Sequence, residues 1–169
     1  MIITETNRLI LREFIVEDAE NLFNLNSDPE VIKYTGDKAF QSIEEAKIFI
    51  QNYDAYSKYG YGRWAVELKA TKQFIGWCGL KYIPSLNETD IGFRLIKDFW
   101  EKGYATEAAK ASLEFGFNVL KMEVIVGRAM KENVASIKVL EKIGMVFWKE
   151  FIFDEHPGLY FKIEKGDFK

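Results

Sequence analysis

The chain has 169 residues, of which 48% are hydrophobic and 29% charged, with a net charge of −3. That balance fits one globular domain spanning residues 1–169 and excludes fibrous, disordered and disulfide-dense classes. The isoelectric point near 5.4 speaks against nonspecific nucleic-acid binding, and no apolar run reaches the roughly 18 residues of a membrane span.

In chain order, residues 8–14 read as a first strand. Residues 17–26 follow as a short amphipathic helix with Ala19, Leu22, Phe23 and Leu25 on its apolar side. Pro29 sits early in a further helical turn, where its missing N–H does no harm. Ser42 and Glu45 form a capping box, and the helix behind it is expected to bury Ala46, Phe49, Ile50 and Tyr53. The period then changes. Residues 63–68, 73–82 and 89–96 alternate as three strands, with turns at 69–72 and 84–87. A long helix begins near Gly103 and carries Ala105, Ala108, Ala109, Ser112, Leu113, Gly116 and Phe117 on one stripe. Residues 124–128 form a β-branched strand, and 133–143 a helix stopped by Gly144. Residues 146–153 and 159–163 close the chain as strands around a Pro157-Gly158 turn. The order implies a mixed α/β fold with antiparallel hairpins first and one strand–helix–strand crossover. There is no repeat and no linker.

The most informative stretch is Phe99-Trp-Glu-Lys-Gly-Tyr-Ala-Thr-Glu107. A Gly-centred turn opening an Ala-rich helix crowds main-chain N–H groups at the positive end of a helix dipole. Such a place binds anions, and phosphate is the anion expected.

Four segments together resemble the GNAT acyl-coenzyme A N-acyltransferases, within them the group that includes the ribosomal-protein N-terminal acetyltransferases. They are Thr6-Asn-Arg-Leu-Ile-Leu-Arg12 with Glu17-Asp18-Ala19 and Ser27-Asp28-Pro29-Glu30-Val31; Ile75-Gly-Trp-Cys-Gly-Leu80; Asp90-Ile-Gly-Phe93 through Phe99–Ala108; and Asn133-Val-Ala-Ser136 through Gly144. The resemblance implies a mostly antiparallel sheet of about seven strands, splayed between the fourth and fifth and flanked by helices. Trp100 stands where the superfamily loop usually has Gln or Arg; the phosphate contacts are mainly backbone, so the physics of the loop is unchanged.

The same resemblance implies acetyl-coenzyme A as cosubstrate and no metal. Its pyrophosphate would lie on the N–H groups of Glu101, Lys102, Gly103, Tyr104, Ala105 and Thr106, and its pantetheine arm against the main chain of Phe93, Arg94 and Leu95. The reaction would be direct attack of a primary amine, a protein N-terminus or a small amine, on the thioester. Asp90 is the first candidate base and Glu88 the second. Leu140 occupies the register where many members carry a Tyr as general acid. Ser136 would approach the sulfur, and Asn133 would hold backbone and pantetheine together. Lys138 and Arg128 either meet the ribose phosphate or are solvated charges. Tyr56, Tyr61 and Trp64, with Tyr53 and Tyr59, either line an aromatic acceptor cleft or pack in the core. The partners expected are therefore acetyl-coenzyme A and an amine, with no nucleic acid or membrane, in a monomer or homodimer. A non-catalytic acyl-coenzyme A sensor is the alternative, supported by Leu140.

Other features point elsewhere. Gly60-Tyr-Gly62-Arg-Trp-Ala65 matches a dinucleotide fingerprint, but a helix precedes it and a strand follows, the reverse of what phosphate binding needs. Cys78 alternates with apolar neighbours and reads as buried; as the only cysteine it excludes an internal disulfide and points to a reducing, cytoplasmic setting. His156, the single histidine, reads as a turn residue. The N-terminus, with Glu5, Arg8 and Arg12 among its apolar residues, does not read as a signal peptide.

Overall fold

In the computed structural model, which describes residues 1–169, the strands are β1 (Ile2–Glu5), β2 (Leu9–Arg12), β3 (Arg63–Leu68), β4 (Phe74–Ile83), β5 (Glu88–Leu95), β6 (Val124–Met130), β7 (Val146–Phe153) and β8 (His156–Glu164). The helices are α1 (Ala19–Ser27), α2 (Pro29–Ile32), α3 (Ile43–Gln51), α4 (Ala55–Tyr59), α5 (Tyr104–Asn118) and α6 (Val134–Lys142). One sheet holds all eight strands in the order β1-β2-β3-β4-β5-β6-β8-β7. Every pair is antiparallel except β5–β6, which is joined through α5 as the crossover.

Alternation along the strands divides the side chains between two layers. On one face Leu9, Leu11, Trp64, Val66, Cys78, Leu80 and Ile91 pack with Ala108, Ala109, Leu113 and Phe117 of α5. On the other, Ala65 and Phe74 meet Ala19, Leu22 and Leu25 of α1 and Ala46 and Ile50 of α3. Small residues along the buried stripe of α5 let it lie close to the sheet. Arg12 fastens the second layer: its guanidinium grips both oxygens of Asp18 at 2.8 Å and Glu67 at 3.0 Å. That buried fork ties the start of α1 to β2 and β3, and it gives a physical reason for Arg12 and Asp18 within the N-terminal signature.

Several expectations are corrected. The sheet has eight strands rather than seven, because β1 pairs with β2 at the edge; four residues without a clear alternation carry little strand signal. Phe49 is 43% exposed, so the buried stripe of α3 is narrower than its pattern. Ser42 caps Glu45 N–H as expected, but the Glu45 carboxylate reaches back to Gln41 N–H instead of Ser42. The last hairpin turns at Asp154 and Glu155, both of positive φ (+48° and +68°), the conformation that suits a two-residue hairpin. Pro157 and Gly158 lie inside the ladder opposite Ile152 and Phe151, and His156 opens β8.

The crossover places the site. β5 pairs with β6 only at Asp90↔Val126 and Ile91↔Gly127. Beyond Ile91, β5 continues beside β4 alone, while β6 stays with β8. The two strands part there.

Candidate active site

Between β5 and α5, Glu101 and Gly103 adopt left-handed backbone (φ +59° and +82°), and Lys102 and Tyr104 between and after them do not. Such alternation makes successive N–H groups converge on one concavity. Gly103 is the N-cap of α5 and adopts this conformation at no steric cost. None of the N–H groups of residues 101–106 donates to an acceptor within the chain.

The N-terminal segment holds this loop in place. Thr6 Oγ1 donates to Glu107 Oε1 at 2.6 Å, Arg8 N–H to the same oxygen at 2.9 Å, and Arg8 Nε to Glu107 Oε2 at 2.7 Å. The Arg8 guanidinium also donates to the Lys102 carbonyl at 3.0 Å and stacks 4.3 Å from the Tyr104 ring centre. Burial disfavours the Glu107 carboxylate, but the three donors outweigh it and hold its pKa below the ordinary 4.5. Trp100 adds a brace: its indole N–H donates to the Leu95 carbonyl at 2.8 Å.

The strand parting supplies a second row of main-chain donors. Ile96 N–H bonds to the Ile75 carbonyl of β4, so by alternation the N–H of Arg94 also faces β4. Those of Phe93 and Leu95 face the side from which β6 has departed. Arg94 is thereby corrected: its main-chain N–H belongs to the β4 ladder and does not face the parting.

The Arg94 side chain lines a cleft of about 760 Å³ on the sheet face opposite α5. Arg94 donates to Asn26 Oδ1 (2.7 Å) and Asp37 Oδ2 (2.6 Å) and lies 5.1 Å from the Trp77 ring centre. Arg63, from the neighbouring strand, lies 5.3 Å from the same ring. It donates to the Gly79 carbonyl (2.7 Å), the Asp90 carbonyl (3.2 Å) and Asp90 Oδ1 (2.9 Å). A Cβ on Gly92 would fall 2.5 Å from this guanidinium, so the glycine makes room for it. Arg128 approaches Asp90 Oδ2 at 3.4 Å. Asp90, 6% exposed, thus has a guanidinium on each oxygen and is an anchor rather than a free carboxylate.

Other expected residues are redistributed. Glu88 accepts a hydrogen bond from the Tyr160 hydroxyl and does not line the cleft. Burial first, then Glu88, raises the Tyr160 pKa. Trp64 is fully buried on the α5 face, edge-on to Phe115, because its neighbours Arg63 and Ala65 take the cleft side. The Tyr56 hydroxyl accepts from Phe14 N–H and donates to the Arg63 carbonyl, while Tyr61 bonds Thr89; both brace the frame behind the cleft. The aromatic lining of the cleft includes instead Phe14, Tyr53, Tyr59, Trp77 and Phe151. Ser136 and Leu140 line the cleft from α6, with Asn133 at its N-cap accepting from Ser136 N–H at 3.2 Å. Lys138 is two residues past Ser136, hence on the opposite side of α6, and is exposed. Lys102 is exposed beside Phe99. Cys78 is buried, and desolvation pushes its thiol up to about 11, which leaves it inert.

Sequence reasoning missed Arg63, Trp77 and the side chain of Arg94. Their signal is parity: residues 63, 77 and 94 are the out-of-phase members of strands whose other residues are core.

Residues 8–146 match the sequence profile of the family described as Acetyltransferase (GNAT) domain. The chain is 34% identical over 156 residues to an uncharacterized N-acetyltransferase of Bacillus subtilis, covering 91% of this chain and 87% of that one. It is 26% identical over 143 residues to the spermidine N(1)-acetyltransferase of Escherichia coli K12, covering 79% and 70%. Among solved structures, a GNAT-family acetyltransferase from Bacillus anthracis superposes with a TM-score of 0.84 at 27% identity, covering 98% of this chain and 99% of that one.

Proposed function

The chain belongs to the GNAT acetyltransferase family and is an acetyl-coenzyme A-dependent N-acetyltransferase; from that premise we propose that it acetylates a primary amine by direct attack within a ternary complex. The carrying observation is that the unpartnered N–H groups of residues 101–106 adjoin the parting of β5 from β6. A pyrophosphate fits the first and an extended, amide-bearing arm fits the second. In this reading Glu101 through Thr106 hold the anion by main chain. Phe93 and Leu95 N–H hold the arm and face the carbonyl oxygen as charge develops there. Asn133 and Ser136 close the other wall.

Acetyl-coenzyme A, when bound, supplies the acetyl thioester. The amine nitrogen bonds to the acetyl carbon, the carbon–sulfur bond breaks, and the sulfur leaves as a thiolate that takes up one proton while the amine sheds one. Asp90, engaged by two guanidiniums, orients Arg63 and Arg128; the amine's proton leaves through the open cleft. Ser136, whose hydroxyl has no partner within the chain, donates to the departing sulfur in place of the hydroxyl that Leu140 lacks. The acceptor is a protein N-terminus or a small amine; the spermidine-acetylating relative belongs to the second kind. The buried Cys78 is compatible with the cytoplasm as the setting.

The test is calorimetry with acetyl-coenzyme A together with thiol release on an amine panel. Binding with turnover of at least one amine is expected. Binding with no turnover on any amine would leave a sensor, and no binding would overturn the loop assignment.

A further inference from the structure

The charge of the cleft bears on which amine it takes. Five basic and three acidic side chains line it, an excess of positive charge in a chain whose net charge is −3. The acids are largely spoken for: Asp90 sits between Arg63 and Arg128, and Asp37 is bonded to Arg94. Lys81 has no carboxylate partner, and the Arg128 side chain makes a single hydrogen bond in the chain, the 3.4 Å one to Asp90. The remaining donors of Arg128 form a planar fork on the cleft wall, a shape that matches a carboxylate. Arg128 follows Gly127, the last residue paired with β5, so the fork stands beside the strand parting. A polycation placed here would meet guanidinium groups at close range and few free carboxylates.

Resting on the acyl-transfer reading of the cleft, we infer that the acceptor is an amine carrying a carboxylate a few bonds from its nitrogen, on an apolar or aryl body, with Arg128 binding the carboxylate. The aromatic wall around Trp77 and Phe14 takes the body. The position of Arg128 next to the parting leaves only a short chain between carboxylate and nucleophile.

Phenylalanine, phenethylamine and spermidine separate the possibilities, since the first two differ only by the carboxylate. With acetyl-coenzyme A, kcat/KM for phenylalanine is expected to exceed that for phenethylamine by about tenfold or more, the worth of one charge-assisted contact. Spermidine is expected to be the poorest. Arg128→Gln should bring the first ratio close to one, and Arg128→Lys, which keeps the charge and loses the fork, should recover part of it. Equal use of phenethylamine, or a preference for spermidine, overturns the inference. A second arm needs no turnover: calorimetry with coenzyme A present compares N-acetylphenylalanine with N-acetylphenethylamine. Carboxylate-dependent binding that disappears in Arg128→Gln supports the site even if no amine is acetylated, an outcome that sinks the transfer reading alone. Equal binding of the two amides overturns the inference whatever the activity.

Discussion

The two ends of the cleft are built from different materials. The end assigned to the coenzyme is main chain: the N–H groups of residues 101–106 and those of Phe93 and Leu95. The end assigned to the acceptor is side chain: Arg63, Arg94 and Arg128 around Asp90 and Trp77. A main-chain cradle tolerates many side chains provided the dihedrals are kept, which is why Trp100 at an unusual position leaves it intact. A side-chain cluster is altered by any single replacement. Substitutions should therefore act at the first end through conformation and at the second through charge and partners.

The largest effect tests conformation. Gly103→Val forces a β-branched residue to φ +82°, a strain of about 1–3 kcal/mol that should appear as a loss of acetyl-coenzyme A affinity of up to about 100-fold in calorimetry. Gly60 has φ +80° and open space around its missing Cβ, so Gly60→Val imposes the same strain away from the loop and should leave that affinity unchanged. If both variants bind alike, the loop is not the cradle.

Asp90→Asn tests partners. An anchor that orients two guanidiniums should lower kcat/KM by roughly 30-fold, as misplacement of positioning groups does, and by the same factor at pH 7 and pH 9. A loss concentrated at pH 7, where the amine is protonated, would identify Asp90 as the base instead. Smaller still, Ser136→Ala should slow turnover about fivefold, the worth of one neutral hydrogen bond of about 1 kcal/mol, with melting temperature and coenzyme affinity unchanged. Full activity would reduce Ser136 to a small residue on the wall. Trp100→Phe removes the indole donor from the Leu95 carbonyl and should cost about 0.5–1 kcal/mol of stability, measured by urea unfolding.

The smallest effect is the pH response of the loop clamp. Because the Glu107 pKa is lowered on folding from 4.5, its contribution is present above pH 4.5 and fades as pH falls through the folded value. Melting temperature should drop on acidification in that window, and Glu107→Gln should flatten this part of the drop.

The order of elements was legible because it rests on local rules: period-two alternation for β3, β4 and β5, a capping box before α3, and small residues along α5. The loop was legible for the same reason, since its donors come from contiguous residues. The eighth strand was not, because Ile2–Glu5 becomes a strand only by pairing with β2. The last hairpin was misplaced because Pro157-Gly158 is a strong turn signal, yet the reversal fell at Asp154 and Glu155. The two tryptophans are the clearest contrast. Trp64 stood out beside tyrosines and proved to be core, whereas Trp77, given no role of its own within the Ile75–Leu80 segment, proved to be cleft wall. One residue of parity separates the two outcomes.

By itself, then, the sequence determined the mixed α/β order, the glycine turn that opens the long helix at Gly103 and the family. Each follows from neighbours in the chain, where glycine conformation, helix dipole and alternation act over a few residues. Only the tertiary structure decided which side chains line the cleft. Arg63, Trp77, Asp90, Arg94 and Arg128 come from four strands, and cross-strand register alone sets them side by side on one face.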